Sequence, residues 1–273
     1  MLAPVVDHEW LREHRDDVVL VDARWYADGR SNRDAYVAGH LPGAIFVDLD
    51  TQLAGEPSVV VGRHPLPEPD TFARSMAASG IGDDDTVVAY DDAGGVMAAR
   101  LVWMLRVTGH DAALLDGGVM NYDGALDEGA VVRPAANFSP RPWPADRLAD
   151  VDDASSRENL VLDARDASRY RGEPNALDPR AGHIPGARSV PCRENLSPAG
   201  TLVSAGELRQ RFAAAGVTEE RDVIVYCGSG VTACHDLLAL EHAGFAPGRL
   251  FVGSWSQYAN DLERPAATGD APG

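Results

Sequence analysis

The chain repeats itself. VLVDAR at 19–24 returns as LVLDAR at 160–165, GHLPGA at 39–44 as GHIPGA at 182–187, and ASGI at 78–81 as AAGV at 214–217. VVAY at 87–90 answers VIVY at 223–226, and GGVMNY at 117–122 answers GSWSQY at 253–258. Five matches in the same order mark a tandem duplication. Each half must therefore fold on one shared plan, and 273 residues suffice for two modest domains.

That plan is legible in the first copy. Short β-branched apolar runs at 18–21, 45–47, 87–90 and 113–115 read as strands. Helical patterns at 33–37, 71–78 and 96–107 lie between them. Alternation of this kind implies an α/β fold, with a parallel sheet covered by helices on both faces. The expected domains are 1–132 and 151–273. The stretch 133–150, RPAANFSPRPWPADRLAD, is proline-rich and without period, and reads as a linker. The tail at 264–273, RPAATGDAPG, reads as a frayed end.

One stretch carries chemistry. In DVIVYCGSGVTACHDLLALEHA, at 222–243, an apolar strand runs into Cys227-Gly228-Ser229-Gly230-Val231-Thr232 and then into a helix. Leu237, Leu238 and Leu240 read as its buried face, with His235, Asp236, Glu241 and His242 as its polar positions. Three features favour a charged sulfur at Cys227. Gly228 and Gly230 let the loop N–H groups curl around one point. The following helix turns its positive end toward the loop. Ser229 and Thr232 add hydroxyl donors. A buried cysteine in a βα turn is the plain alternative, and the glycines and hydroxyls weigh against it.

The duplication supplies a control. Setting Tyr90 against Tyr226 places Asp91 opposite Cys227, and DDAGGVMA opposite CGSGVTAC. The first copy has lost the cysteine and both hydroxyls, so packing alone does not require Cys227. One half reads as catalytic and the other as scaffold.

Charge narrows the partners. A formal net charge of −18 argues against nucleic acid or an anionic membrane. An anion site must then be built from local arginines, because the chain has no lysine. That also excludes Schiff-base chemistry and a lysine-bearing P-loop. Three cysteines, Cys192, Cys227 and Cys234, read as reduced thiols, and with no signal-peptide or membrane-span pattern they imply a cytoplasmic protein. No metal site is expected, since Cys234 and His235 would diverge from Cys227 along the helix. Cys234 reads as a buried small residue, and Cys192 as a thiol without an evident partner. Trp255 and Tyr258 read as packing beside the cleft. His40 and His183 occur in both GH[LI]PGA turns and read as structural.

The VDAR/LDAR strands, the paired GH[LI]PGA turns, the Cys227 loop and Gly253-Ser254-Trp255 together resemble the two-domain rhodanese-type sulfurtransferases, over nearly the whole chain. The resemblance implies two tandem rhodanese-like domains, the second catalytic. It implies a Cys227 persulfide that passes its sulfur to a thiol (a small thiol or a thioredoxin-like protein) or to cyanide, with no cofactor. Gly228 and Ser229 after the cysteine are similar to the 3-mercaptopyruvate type, and Gly228, Gly230, Val231 and Thr232 would line the donor site. By the same resemblance Arg169 and Arg180 would clamp the donor's carboxylate and ketone, while Asp50 and His64 would orient Ser229 as a proton relay. Guanidinium forks suit a carboxylate. A solvated arginine-rich loop is the plain alternative for Arg169 and Arg180.

Other readings remain distinguishable. A thiosulfate sulfurtransferase would share the persulfide but prefer another donor. A cysteine-loop phosphatase needs an arginine at the far end of the loop, and the first one after Cys227 is Arg249. A persulfide carrier would load one sulfur and stop.

Overall fold

The central strands are apolar runs too short to be helices and are buried on both faces, whereas the edge strand Arg188–Ser189 is polar and partly exposed. The computed structural model describes residues 2–273 and divides into two compact units. The first holds the chain up to Gly55, with Pro67–Trp143 and Leu196–Leu202. The second holds Glu56–Leu66, Pro144–Asn195 and Val203–Gly273. Each unit thus takes a segment from the other's half of the sequence.

In the first unit, strands β1 (Val5–Val6), β2 (Val18–Asp22), β3 (Ile45–Phe46), β4 (Thr86–Tyr90) and β5 (Ala112–Leu115) form one parallel sheet in the order β1-β5-β4-β2-β3. Helices α1 (His8–Glu13), α2 (Asn32–Ala38), α3 (Leu49–Gln52), α4 (Pro69–Ala78) and α5 (Ala99–Val107) accompany it. The second unit repeats the plan. Strands β6 (Leu148–Ala149), β7 (Leu160–Asp163), β8 (Arg188–Ser189), β9 (Val223–Tyr226) and β10 (Arg249–Phe251) run parallel in the order β6-β10-β9-β7-β8. Its helices are α6 (Val151–Ser155), α7 (Ala167–Arg171), α8 (Ala205–Ala214), α9 (Ala233–His242) and α10 (Ser254–Tyr258). In each sheet the strand that leads into the Asp91 or Cys227 loop is central. Loops at the carboxyl ends of such strands are where α/β sheets place their sites.

The repeated motifs are one buried polar frame built twice. Asp22 pairs with Arg24, whose Nη2 donates to Gly39 O at 2.7 Å. Asp163 pairs with Arg165, whose Nη2 donates to Gly182 O at 2.8 Å. The strand motif and the GH[LI]PGA turn are therefore bonded to each other. His40 stacks on Tyr36 and His183 on Tyr170, each ring donating through Nδ1 to that tyrosine's carbonyl. Tyr90 OH accepts from Leu41 N and Tyr226 OH from Ile184 N, which ties the central strand to the turn.

Two expectations are corrected. The tail from 264 onward is not frayed: Ala267 bridges His183, Gly186 N donates to Pro272 O, and Arg264 pairs with Asp152. These contacts repeat the bridge of Asp127 to His40, so the second turn needs the tail to complete it. The helix expected over 96–107 begins only at Ala99, because Asp91 draws the N–H groups of Met97 and Ala98 to itself. Within 133–150 the units divide between Trp143 and Pro144, and the stretch is anchored by side chains. Arg133 Nε donates to Gly80 O, Ser139 caps Asp83, and Trp143 Nε1 donates to Pro67 O.

Candidate active site

Cys227 follows the last residue of β9 and is buried. Gly230 N–H donates to its Sγ at 3.1 Å. That approach needs glycine twice over. Gly230 has φ +75°, and a Cβ there would stand 2.4 Å from Val252 O. The start of α10 holds the loop from the other side: Trp255 N donates to Cys227 O at 3.0 Å, and Ser256 N to Gly228 O at 2.9 Å. Cys227 N donates to Ser254 Oγ, which itself donates to Phe251 O. Ser254 adopts φ +51°, the one positive φ outside glycine among the described residues. For a serine this conformation costs on the order of 1 kcal/mol.

A strap from the first half of the sequence covers this loop. In Glu56–Leu66, Ser58 and Gly62 pair backbone to backbone, and Gly62 packs so closely on Gly253 that a Cβ would meet its carbonyl at 2.6 Å. Arg63 N then donates to Ser256 Oγ at 3.0 Å. The next residue, His64, brings Nδ1 to 2.8 Å from Ser229 Oγ. The expected His64–Ser229 contact is present. Asp50 lies in α3 of the first unit, where its carboxylate accepts from Trp25 Nε1 at 2.9 Å.

Two guanidinium groups face the loop. A Cβ added to Gly228 would stand 2.8 Å from Arg169 Nη2 and 3.0 Å from Arg63 Nη2. Arg169 is aimed by Asp178, which accepts from both Nε and Nη2 and also pairs with Arg165. Arg63 was not singled out by sequence reasoning. Its Nη1 donates to Leu177 O. Burial pushes its guanidinium below the usual arginine value; Arg169 and Arg165 add to that shift, and Asp178 and Cys227 oppose it. A desolvated cation beside a second cation gains from an arriving anion. Arg180 sits beside Trp255, 5.8 Å from its ring, with Nη1 donating to Arg264 O and with Nε and Nη2 buried and unpartnered.

The remaining positions divide cleanly. Val231 is buried and Thr232 half-buried at the foot of α9. Burial pushes the Cys192 thiol well above the ordinary thiol value, and the nearby Thr232 side chain opposes that rise. Cys234 is buried and donates to Gly230 O. Trp255 and Tyr258 stack, both buried. His235 and Asp236, taken from sequence as polar-face residues, are fully buried, because α9 is covered on every side in its first two turns.

The first unit answers the question its sequence raised. Asp91 is buried, and its two carboxylate oxygens accept from Ala93, Gly95, Met97 and Ala98 N–H at 2.7–2.9 Å. The loop of the duplicated frame is an anion cradle. In one unit the chain supplies the anion, and in the other it supplies a sulfur. Burial raises the Asp91 pKa, and the four amides pull against that rise.

Chemically, a sulfur at a cradle, two forked cations and a serine–histidine pair can accept, hold and release a sulfur-bearing anion. The comparisons agree. The Escherichia coli 3-mercaptopyruvate sulfurtransferase is 36% identical over 274 residues, covering 95% of this chain and 96% of its own. The Arabidopsis thaliana thiosulfate/3-mercaptopyruvate sulfurtransferase 1 is 30% identical over 300 residues, covering 96% of this chain and 77% of its own. The crystal structure of the E. coli 3-mercaptopyruvate sulfotransferase SseA matches with a TM-score of 0.81 at 35% identity, over 93% of this chain and 99% of that one. The rhodanese-like domain model matches twice, at 7–125 and 147–261. With both halves matched and the fold shared, this chain belongs to the rhodanese family.

Proposed function

We propose that the chain transfers sulfur from 3-mercaptopyruvate through a persulfide on Cys227, and that catalysis belongs to the second unit. The observation that carries this is the convergence on one loop of the Cys227 sulfur, the Arg63 and Arg169 forks at Gly228, and the His64–Ser229 contact. The forks would bind the donor's carboxylate, with the two unpartnered Arg180 donors as a further anchor beside Trp255. The Cys227 thiolate attacks the donor sulfur, the carbon–sulfur bond breaks, and the pair of electrons leaves with pyruvate as its enolate. Ser229, in contact with His64, delivers the proton that makes pyruvate. The relay rests here on the His64–Ser229 contact. A thiol or cyanide then attacks the outer sulfur and frees Cys227, so the reaction is two-step and ping-pong.

Thiosulfate is the second reading, favoured by the two cations at the loop and by the donor named for the Arabidopsis relative. A side-by-side steady-state assay decides: kcat/KM for mercaptopyruvate should exceed that for thiosulfate, and the reverse order would overturn the donor assignment. Arg169→Ala should raise the mercaptopyruvate KM by about tenfold or more while sparing thiosulfate by comparison, as expected for a lost bidentate carboxylate contact. Equal losses on both donors would remove the carboxylate role. We place the reaction in the cytoplasm, where three cysteines free of disulfides are at home. No described helix is long and apolar enough to cross a membrane.

A further inference from the structure

In the helix that follows the Cys227 loop lies a buried polar group that the proposed reaction does not use. Asp236, in the first turn of α9, is fully buried. Its Oδ1 accepts from Asn195 Nδ2 at 2.6 Å. Asn195 is fully buried too, in the 3-10 turn Cys192–Asn195. Two oxygens of this pair, Asp236 Oδ2 and Asn195 Oδ1, have no hydrogen-bond partner. Both are acceptors, and both belong to side chains already bonded to each other. One proton on the carboxyl would satisfy the two of them at once, as the second bond of an acid–amide pair. Leaving two buried acceptors unmet is costly, so the proton has a strong reason to be there.

The same turn reaches the loop itself. Cys192 lies beside Thr232, whose side chain favours its charged form, and Asn195 is bonded to Asp236. Thr232 and Asp236 are four residues apart, which places them on one face of α9. The turn therefore holds α9 at Asp236 and lies against the junction of loop and helix at Thr232. Nor does the fold require an acid here. Under the alignment that sets Asp91 against Cys227, Asp236 falls opposite Arg100. We propose that Asp236 carries a proton at neutral pH, shares it with Asn195 Oδ1, and so acts as a positioning residue that keeps the Cys227 loop in its reactive form.

The groups around Asp236 work in both directions. Asn195 and Arg211 favour its charged form, while Asp163 and Glu194 oppose it. Cys192 and His235 also face the cluster, His235 Nδ1 lying 3.4 Å from Asn195 Nδ2. Burial outweighs the favourable contacts and pushes the carboxyl up to about 8. Because the folded value lies above the unfolded one near 4, the contribution to stability is complete below that value and is lost as pH rises through about 8.

The test reads the proton first and the chemistry second. Infrared difference spectra of the intact protein at about pH 6, between the two pKa values, should contain a protonated-carboxyl band that is missing from Asp236→Asn. In wild type alone that band should vanish as pH passes about 8. A spectrum without the band overturns the proposal, whatever the enzyme's substrate. The second reading rests on the persulfide reaction. Single-turnover persulfide formation should fall about threefold or more over the two pH units above about 8 in wild type, and this decline should flatten in Asp236→Asn, whose amide pairs with Asn195 without titrating. If the band is present but both proteins decline alike, the positioning role is refuted while the sulfurtransferase reading stands.

Discussion

The two loops that end the central strands make the sharpest contrast in the molecule. After β4, Asp91 fills its own cradle with four amide donors on one carboxylate. After β9, the same strand–loop–helix frame turns a sulfur toward the Gly230 N–H and collects two arginines and a histidine around it. Charge-assisted bonds of the Asp91 kind each contribute about 1.5–3 kcal/mol. The first loop thus converts its affinity for an anion into stability. The second holds that affinity for a ligand or for a charged sulfur. One duplicated device is filled by its own carboxylate in one copy and not in the other, and the residue at its centre, together with the groups gathered around it, makes the difference.

The contrast breaks most easily at Cys227. Cys227→Ala should lower sulfur transfer by on the order of a thousandfold or more, with the fold kept, as mass spectrometry of the donor-treated protein and circular dichroism would report. The demanding version adds Asp91→Cys to that variant. The first loop has Ala93 where the second has Ser229, and its cradle is shaped for a carboxylate. The double variant should stay inactive. Transfer restored to within about tenfold of wild type would mean that the frame alone suffices and that the surrounding groups matter little.

Asp91 tests the other side. Asp91→Ala leaves four buried N–H donors with no acceptor, and should cost about 3–5 kcal/mol in urea denaturation. Persulfide loading per folded molecule should stay near wild type. A loss below about 1 kcal/mol would show that water satisfies these amides as well as the carboxylate does.

Much of this could be read beforehand, and the exceptions have physical reasons. The sheet order repeats because the strand runs and turns repeat, and the Cys227 loop shows itself through glycine and hydroxyl chemistry. Arg63 was hidden because SVVVGRHP has no periodicity and lies in the first half, yet it folds into the second unit. His235 and Asp236 were misread because polar residues usually mark a solvated face, whereas both are enclosed here. Asp91 could be noticed only as a missing cysteine, since four amides aimed at one carboxylate leave no trace in residue order. An acid at the head of a glycine-rich βα loop was the available signal.

The smallest expected effect sits where the two copies differ by one hydroxymethyl side chain. Gly118 and Ser254 align, with φ of +52° and +51°. In the first unit a Cβ would meet Asp91 O at 2.2 Å, so glycine is required. In the second, serine accepts the strained conformation, and its Oγ takes the N–H of Cys227. Ser254→Gly should relieve about 1 kcal/mol of strain and forfeit about as much in hydrogen bonding, leaving the melting temperature within a few degrees of wild type. Turnover should nevertheless fall by about threefold to tenfold, because the amide that orients Cys227 loses its acceptor. An unchanged turnover would mean that the Trp255 and Ser256 N–H bonds to the loop carbonyls hold the cysteine unaided. A large loss of stability would instead assign Ser254 to the fold and make its strain incidental to the chemistry.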